Sequence, residues 1–203
     1  MDKKLSLSDD IRKYLQGNYD NLSYKGVPTT LQDLANHTSG LPAMPEDMGE
    51  QPGYNPVSPE AHYDSSRFYN ALRQIKLDTI PGCKFLYSNW GIALLGHILE
   101  RLYAHSQAYL VRHFIREPLR MRNTTYIINE DGYEIAYPHS ENGKRLTITN
   151  QVYFSPVGGL CSTVSDMLNY LSAQLKETKA SIRLTHIPTA TNMGLGWVYE
   201  KTV

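Results

Sequence analysis

The chain has 203 residues, 41% of them hydrophobic, and its twenty basic side chains are matched by twenty acidic ones for a formal charge of zero. That length supports one domain with a sizeable core, and the balanced charge leaves no basic footprint for a nucleic acid. The seven histidines contain no His-x-x-x-His pair and the two cysteines lie far apart, so no zinc site is expected.

In chain order, Ser8 is the expected N-cap of a short helix running to Leu15, and Thr30 caps a second that ends near His37, where Gly40 and Pro42 stop it. A histidine at such a helix end ordinarily serves the last carbonyl groups rather than a substrate. Met44 to Pro59, rich in proline, glycine and acid, reads as a long surface loop. Ser65 to Leu77 places Phe68, Leu72 and Ile75 on one helical face. After the turn Pro81-Gly82 comes the tripeptide Tyr87-Ser88-Asn89, then a strongly apolar helix with Trp90, Leu94, Ile98 and Leu102 in one stripe. Ser88 is its expected cap, and the stretch is too short, and too interrupted by His97, Glu100 and Arg101, to cross a membrane.

Ser106 to Arg116 reads as a further helix. Tyr133 to Tyr137 and Arg145 to Thr149 alternate around Asn142-Gly143, a dipeptide that favours a tight hairpin. Gly158-Gly159 reads as a tight turn, since no lysine follows to make a phosphate loop, and Thr163 or Ser165 caps a helix through Leu175. Cys83 and Cys161 are expected to be buried thiols, with a bridge left open. No Gly-x-Ser-x-Gly elbow occurs, which argues against an α/β-hydrolase. With no repeat, low-complexity tract or linker, residues 1–203 are one domain.

Tyr87 and Asn89 are the candidate catalytic residues. A phenol and a carboxamide at i and i+2 can face one reacting centre, and a helix entrance holds both by the packing of the whole helix. The plainer alternative is a packed ring beside a cap, since the chain has fifteen tyrosines. The surroundings favour chemistry. Asp33 to Pro42 contains His37-Thr38-Ser39-Gly40-Leu41-Pro42, and Pro81-Gly82 is followed by Phe85-Leu86-Tyr87-Ser88-Asn89 and Ala93-Leu94-Leu95-Gly96. Glu117-Pro118-Leu119-Arg120-Met121 with Thr124, Gly158-Gly159-Leu160 with Ser162-Thr163 and Asp166-Met167, and Gly194-Leu195-Gly196-Trp197 complete the series. In this order the five blocks resemble the serine β-lactamase and penicillin-binding protein superfamily, in its class C β-lactamase-related branch, with Arg120 standing where a glycine is usual.

The resemblance implies an α+β fold of the β-lactamase/transpeptidase type, of which this chain would carry mainly the helical subdomain with short strands and an incomplete central sheet. It implies acyl transfer through a serine ester on β-lactams, peptidoglycan D-Ala-D-Ala stems or small esters and amides, with Tyr87 moving the proton and no metal or organic cofactor. It also points to a bacterial periplasm or cell envelope. The family's nucleophile belongs to a Ser-x-x-Lys motif, and none occurs in these residues. Lys4 to Ile11 resembles the stretch that follows the nucleophile helix, and the third motif, Lys-Thr-Gly or His-x-Gly, is not met before Lys201-Thr202-Val203, so truncation at both ends is expected.

A phenol without activating cations is ionised to only about one part in a thousand at pH 7, a cost of roughly 4 kcal/mol. The serine and third-motif strand would also supply the oxyanion hole. The chain by itself is therefore expected to be inactive, its uncovered helices exposing an apolar surface prone to self-association. The alternative is a binding or interaction module on the same fold that has lost the chemistry.

Overall fold

The computed structural model describes residues 4–56, 58–126, 136–146, 153–189 and 193–200. Helices dominate, with strands in two short antiparallel pairs, β1 (Ser23–Tyr24) with β2 (Val27–Pro28) and β3 (Met193–Gly194) with β4 (Trp197–Val198). The register pairs Ser23 with Pro28 and Tyr24 with Val27, then Met193 with Val198 and Gly194 with Trp197. Lys25 and Gly26 join the first pair with φ of 50° and 80°, the doubly left-handed turn whose twist matches that of a hairpin.

The N-terminal expectation is shifted by two residues. Asp10, not Ser8, caps a single 3-10 turn, Ile11–Tyr14. Its carboxylate accepts the Arg12 N–H at 2.9 Å and pairs with the Arg12 guanidinium at 2.7 Å, a reward the Ser8 hydroxyl cannot match. Helix α1 (Leu31–Ala35) begins as expected at Thr30, in a reciprocal capping box with Asp33.

Between α1 and the next helix, the loop through residues 44–59 contains one 3-10 turn, Met48–Glu50. The Tyr63 hydroxyl pins this loop by donating to Asp47 Oδ1 at 2.6 Å. Helix α2 (Ser65–Gln74) buries Phe68 and Leu72, and α3 (Asn89–Tyr103) is the longest element and the centre of the molecule. Phe68 meets Trp90, His97, Tyr153 and Phe154 edge-on or tilted, with ring centroids 5.1–6.1 Å apart, an arrangement favoured by the ring quadrupole.

Beyond α3, the helix expected to Arg116 is built from α4 (Gln107–Val111), one π turn over Arg112–Arg116, and α5 (Glu117–Leu119). Arg120 follows with φ of 57°, the left-handed backbone that a glycine adopts without cost. Helix α6 (Ser155–Gly158) packs so closely on α3 that a Cβ on Gly96 would lie 2.5 Å from the Pro156 ring. Gly158 ends this short helix and Gly159 caps it, ahead of α7. Thr163 caps α7 (Val164–Lys176), and α8 (Ala180–Thr185) follows, beyond the helices read from the sequence.

The Asn142-Gly143 turn is present, with Gly143 at φ 75° and His139 bridged to Arg145, while most of the two flanking strands lies outside the described residues. Both cysteines are free and exposed, which corrects the expectation of buried thiols. Cys83 sits just past the solvent-facing turn at Gly82, and Cys161 on a lone bridge to Thr125. No helix among the described residues is long and apolar enough to cross a membrane. Among the described residues one apolar stripe is exposed: Val164, Met167, Leu168, Leu171 and Leu175 of α7 are 48–79% exposed.

Candidate active site

Ser88 has extended backbone and its hydroxyl accepts the Gly91 N–H at 2.9 Å, so α3 starts at Asn89. The same hydroxyl donates to the Pro42 carbonyl at 2.7 Å, and the Trp90 N–H reaches the Ala43 carbonyl at 3.1 Å. The tripeptide is thus fastened to the block 37–43, although some fifty residues separate them in sequence. Asn89, half-buried, holds the first helical position, and Tyr87, 57% exposed, precedes the cap.

The block that receives them is itself fixed. Asp33 Oδ1 accepts from the Thr38 hydroxyl at 3.1 Å, and Asp33 Oδ2 from Thr30 Oγ1 at 2.6 Å. The Thr38 carbonyl takes the Gly82 N–H at 2.9 Å, which sets the Pro81-Gly82 turn. His37, buried and with φ of 57°, gives its carbonyl to the Leu86 N–H at 2.7 Å and its Nδ1 to the Ser88 N–H at 3.0 Å. Its ring stacks on Tyr87, with centroids 4.4 Å apart and planes at 30°. Burial pushes the imidazole below its ordinary pKa, keeping it neutral with Nδ1 free to accept.

The expectation that a histidine here serves carbonyl groups is therefore corrected. In the left-handed conformation its ring turns back from the end of α1 to an amide of another segment. Nothing in local sequence carries that signal except the co-occurrence of the two blocks.

The remaining blocks lock to one another in the same way. Asp166, buried, accepts from Thr124 Oγ1 at 2.8 Å and the Asn123 N–H at 2.7 Å, and Thr124 Oγ1 lies 2.8 Å from Ser162 Oγ. Gly196 of the β3–β4 turn donates to the Ala35 carbonyl at the end of α1 at 3.3 Å. A Cβ on Gly194 would collide with the Thr185 carbonyl, which explains the need for glycine there.

Chemically, the arrangement presents a solvent-reachable phenol and a carboxamide on either side of a buried cap. A cleft of about 380 Å³ borders α3 at Trp90, lined also by Glu46, Asp47 and Lys76. Among the described residues no group of three or more His, Cys, Asp or Glu is placed to hold a metal ion.

A family model described as beta-lactamase matches residues 1–203. D-alanyl-D-alanine-carboxypeptidase/endopeptidase AmpH of Escherichia coli K12 is 27% identical over 225 residues, spanning 96% of this chain and 54% of that protein. A solved beta-lactamase/D-alanine carboxypeptidase from Yersinia pestis, complexed with citrate, superposes with a TM-score of 0.77 at 27% identity, over 100% of this chain and 62% of its own. A solved class C beta-lactamase superposes with a TM-score of 0.71 at 22% identity, over 90% of this chain and 48% of its own. The fold is thus of the β-lactamase/transpeptidase type, as the five blocks implied, and the chain spans about half the length of the curated relatives that match 96% of it.

Proposed function

The chain belongs to the beta-lactamase family, and on that premise we propose that it carries the Tyr-x-Asn portion of an acyl-serine hydrolase site. In this reading Tyr87 takes the proton from an attacking serine and returns it to the leaving group. Asn89 offers its amide to the substrate carbonyl or side chain. The substrates are β-lactams, peptidoglycan stem peptides ending in D-Ala-D-Ala, or small esters and amides. The observation that supports it is the fixing of residues 86–90 on residues 37–43 through Ser88, which holds the phenol and carboxamide at the head of the central helix.

The 203 residues contain no Ser-x-x-Lys, so the chain alone forms no acyl-enzyme. Incubation with a fluorescent penicillin followed by intact mass measurement should leave its mass unchanged; a stoichiometric adduct refutes the assignment. Amide shift mapping with benzylpenicillin and with a D-Ala-D-Ala stem peptide tests the site itself. Perturbations are expected on residues 37–43 and 86–91, and their confinement to any other surface refutes the placement. The exposed stripe of α7 gives the chain a surface for self-association.

A further inference from the structure

We propose that His37 is a positioning residue that sets the orientation of the Tyr87 phenol; its value for catalysis rests on the reading of Tyr87 as the proton carrier. The carbonyl of His37 holds the Leu86 N–H and its Nδ1 holds the Ser88 N–H, so one residue grips the chain on both sides of Tyr87. The imidazole between those two grips then lies against the Tyr87 ring.

Each contact depends on an unusual feature. The left-handed φ of 57° costs a non-glycine residue about 1 kcal/mol or more, and it is what lets carbonyl and ring reach the same strand of chain. Nδ1 can accept only while it lacks a proton, so the ring must be the Nε2–H tautomer, in keeping with its burial. Tyr87 is more than half exposed, and its hydroxyl has no hydrogen bond to another described residue. Among the described residues the stacked imidazole is the aromatic contact on its ring.

The test is solution NMR of the chain and two variants. In the wild type, the two-bond nitrogen–proton spectrum should show Nδ1 of His37 unprotonated and the Tyr87 ring protons displaced upfield by the stacked imidazole. His37→Asn keeps a residue tolerant of left-handed backbone and an oxygen for the Ser88 N–H, but no ring. It should retain Ser88 amide protection within about threefold and lose the Tyr87 ring displacement. His37→Phe keeps a ring and loses the acceptor, and should speed Ser88 exchange by about tenfold or more.

The Tyr103 and Phe114 ring resonances, paired at the opposite end of α3 from the clamp, should stay in place in both variants. A protonated Nδ1, a Tyr87 displacement that survives in His37→Asn, or Ser88 protection that survives in His37→Phe overturns the proposal. If neither variant folds, the wild-type tautomer and ring displacement decide it. Because no ligand is involved, a failed ligand-mapping experiment removes the catalytic reading and leaves the clamp standing, whereas failed spectra do the reverse.

Discussion

Ser88→Ala isolates the contact on which the site is built. The hydroxyl is fully buried and makes two hydrogen bonds, accepting the Gly91 N–H at 2.9 Å and donating to the Pro42 carbonyl at 2.7 Å. Loss of an N-cap of this kind costs about 1 kcal/mol, with a range of roughly 0.5–2. The partly buried Pro42 carbonyl left without its donor adds about 1–2 kcal/mol. The sum, about 1.5–4 kcal/mol, is a sizeable part of the roughly 5–15 kcal/mol that holds a domain together.

Thr30→Ala is the comparison, because Thr30 also caps a helix but sits half-buried and bonds only within its own turn. It should cost about 1 kcal/mol. Urea unfolding of both variants and wild type, with unchanged slope, gives the two numbers. A Ser88→Ala loss below about 0.5 kcal/mol, or one equal to that of Thr30→Ala, would refute the claim that the cap also fastens α3 to residues 37–43.

Gly96→Ala would raise intrinsic helix propensity by about 1 kcal/mol, yet the new Cβ meets Pro156 at 2.5 Å. We expect net destabilisation of about 1–3 kcal/mol, and a stabilised variant would show that α3 and α6 are not in such close contact. The Glu100 carboxyl is held below the usual carboxylate range by His97 Nδ1 at 2.9 Å, and also by the Gln107 N–H, against the opposing effect of burial. A depressed carboxyl stabilises the fold above its unfolded pKa, and the contribution is lost as pH falls through the folded one. Glu100→Gln should therefore be less stable than wild type at pH 7, with the gap closing below about pH 4; a gap constant down to acid pH would sink this account. Leu168→Lys on α7, at an exposed position, should change stability by no more than about 0.5 kcal/mol. It should also lower dye binding and any concentration-dependent association, measured by light scattering, and unchanged dye binding would show that the α7 stripe is not the sticky surface.

What was legible in sequence was whatever is decided within a few residues. The caps at Thr30 and Ser88 appear where the helix-start pattern put them, the helix read from Ser106 is capped by that residue, and of the two candidates Thr163 and Ser165 it is Thr163 that caps α7, because an N-cap needs only a short side chain and the next turn's N–H groups. The failure at Ser8 has the same origin, since Asp10 offers a charged acceptor to the same stretch and wins. The five blocks identified the family because their order along the chain is a property of the sequence. Exposure of Cys83 and Cys161, the closeness of Gly96 to Pro156 and the grip of His37 on Leu86, Tyr87 and Ser88 depend on segments tens of residues apart. No local preference encodes such a meeting, because the energy that fixes it comes from burying both partners together. The sequence by itself determined that a phenol and a carboxamide stand at the head of an apolar helix. Only the tertiary structure decided what holds them there, since a left-handed residue at the end of one helix must first be packed against the start of another before its ring and carbonyl have anything to bind.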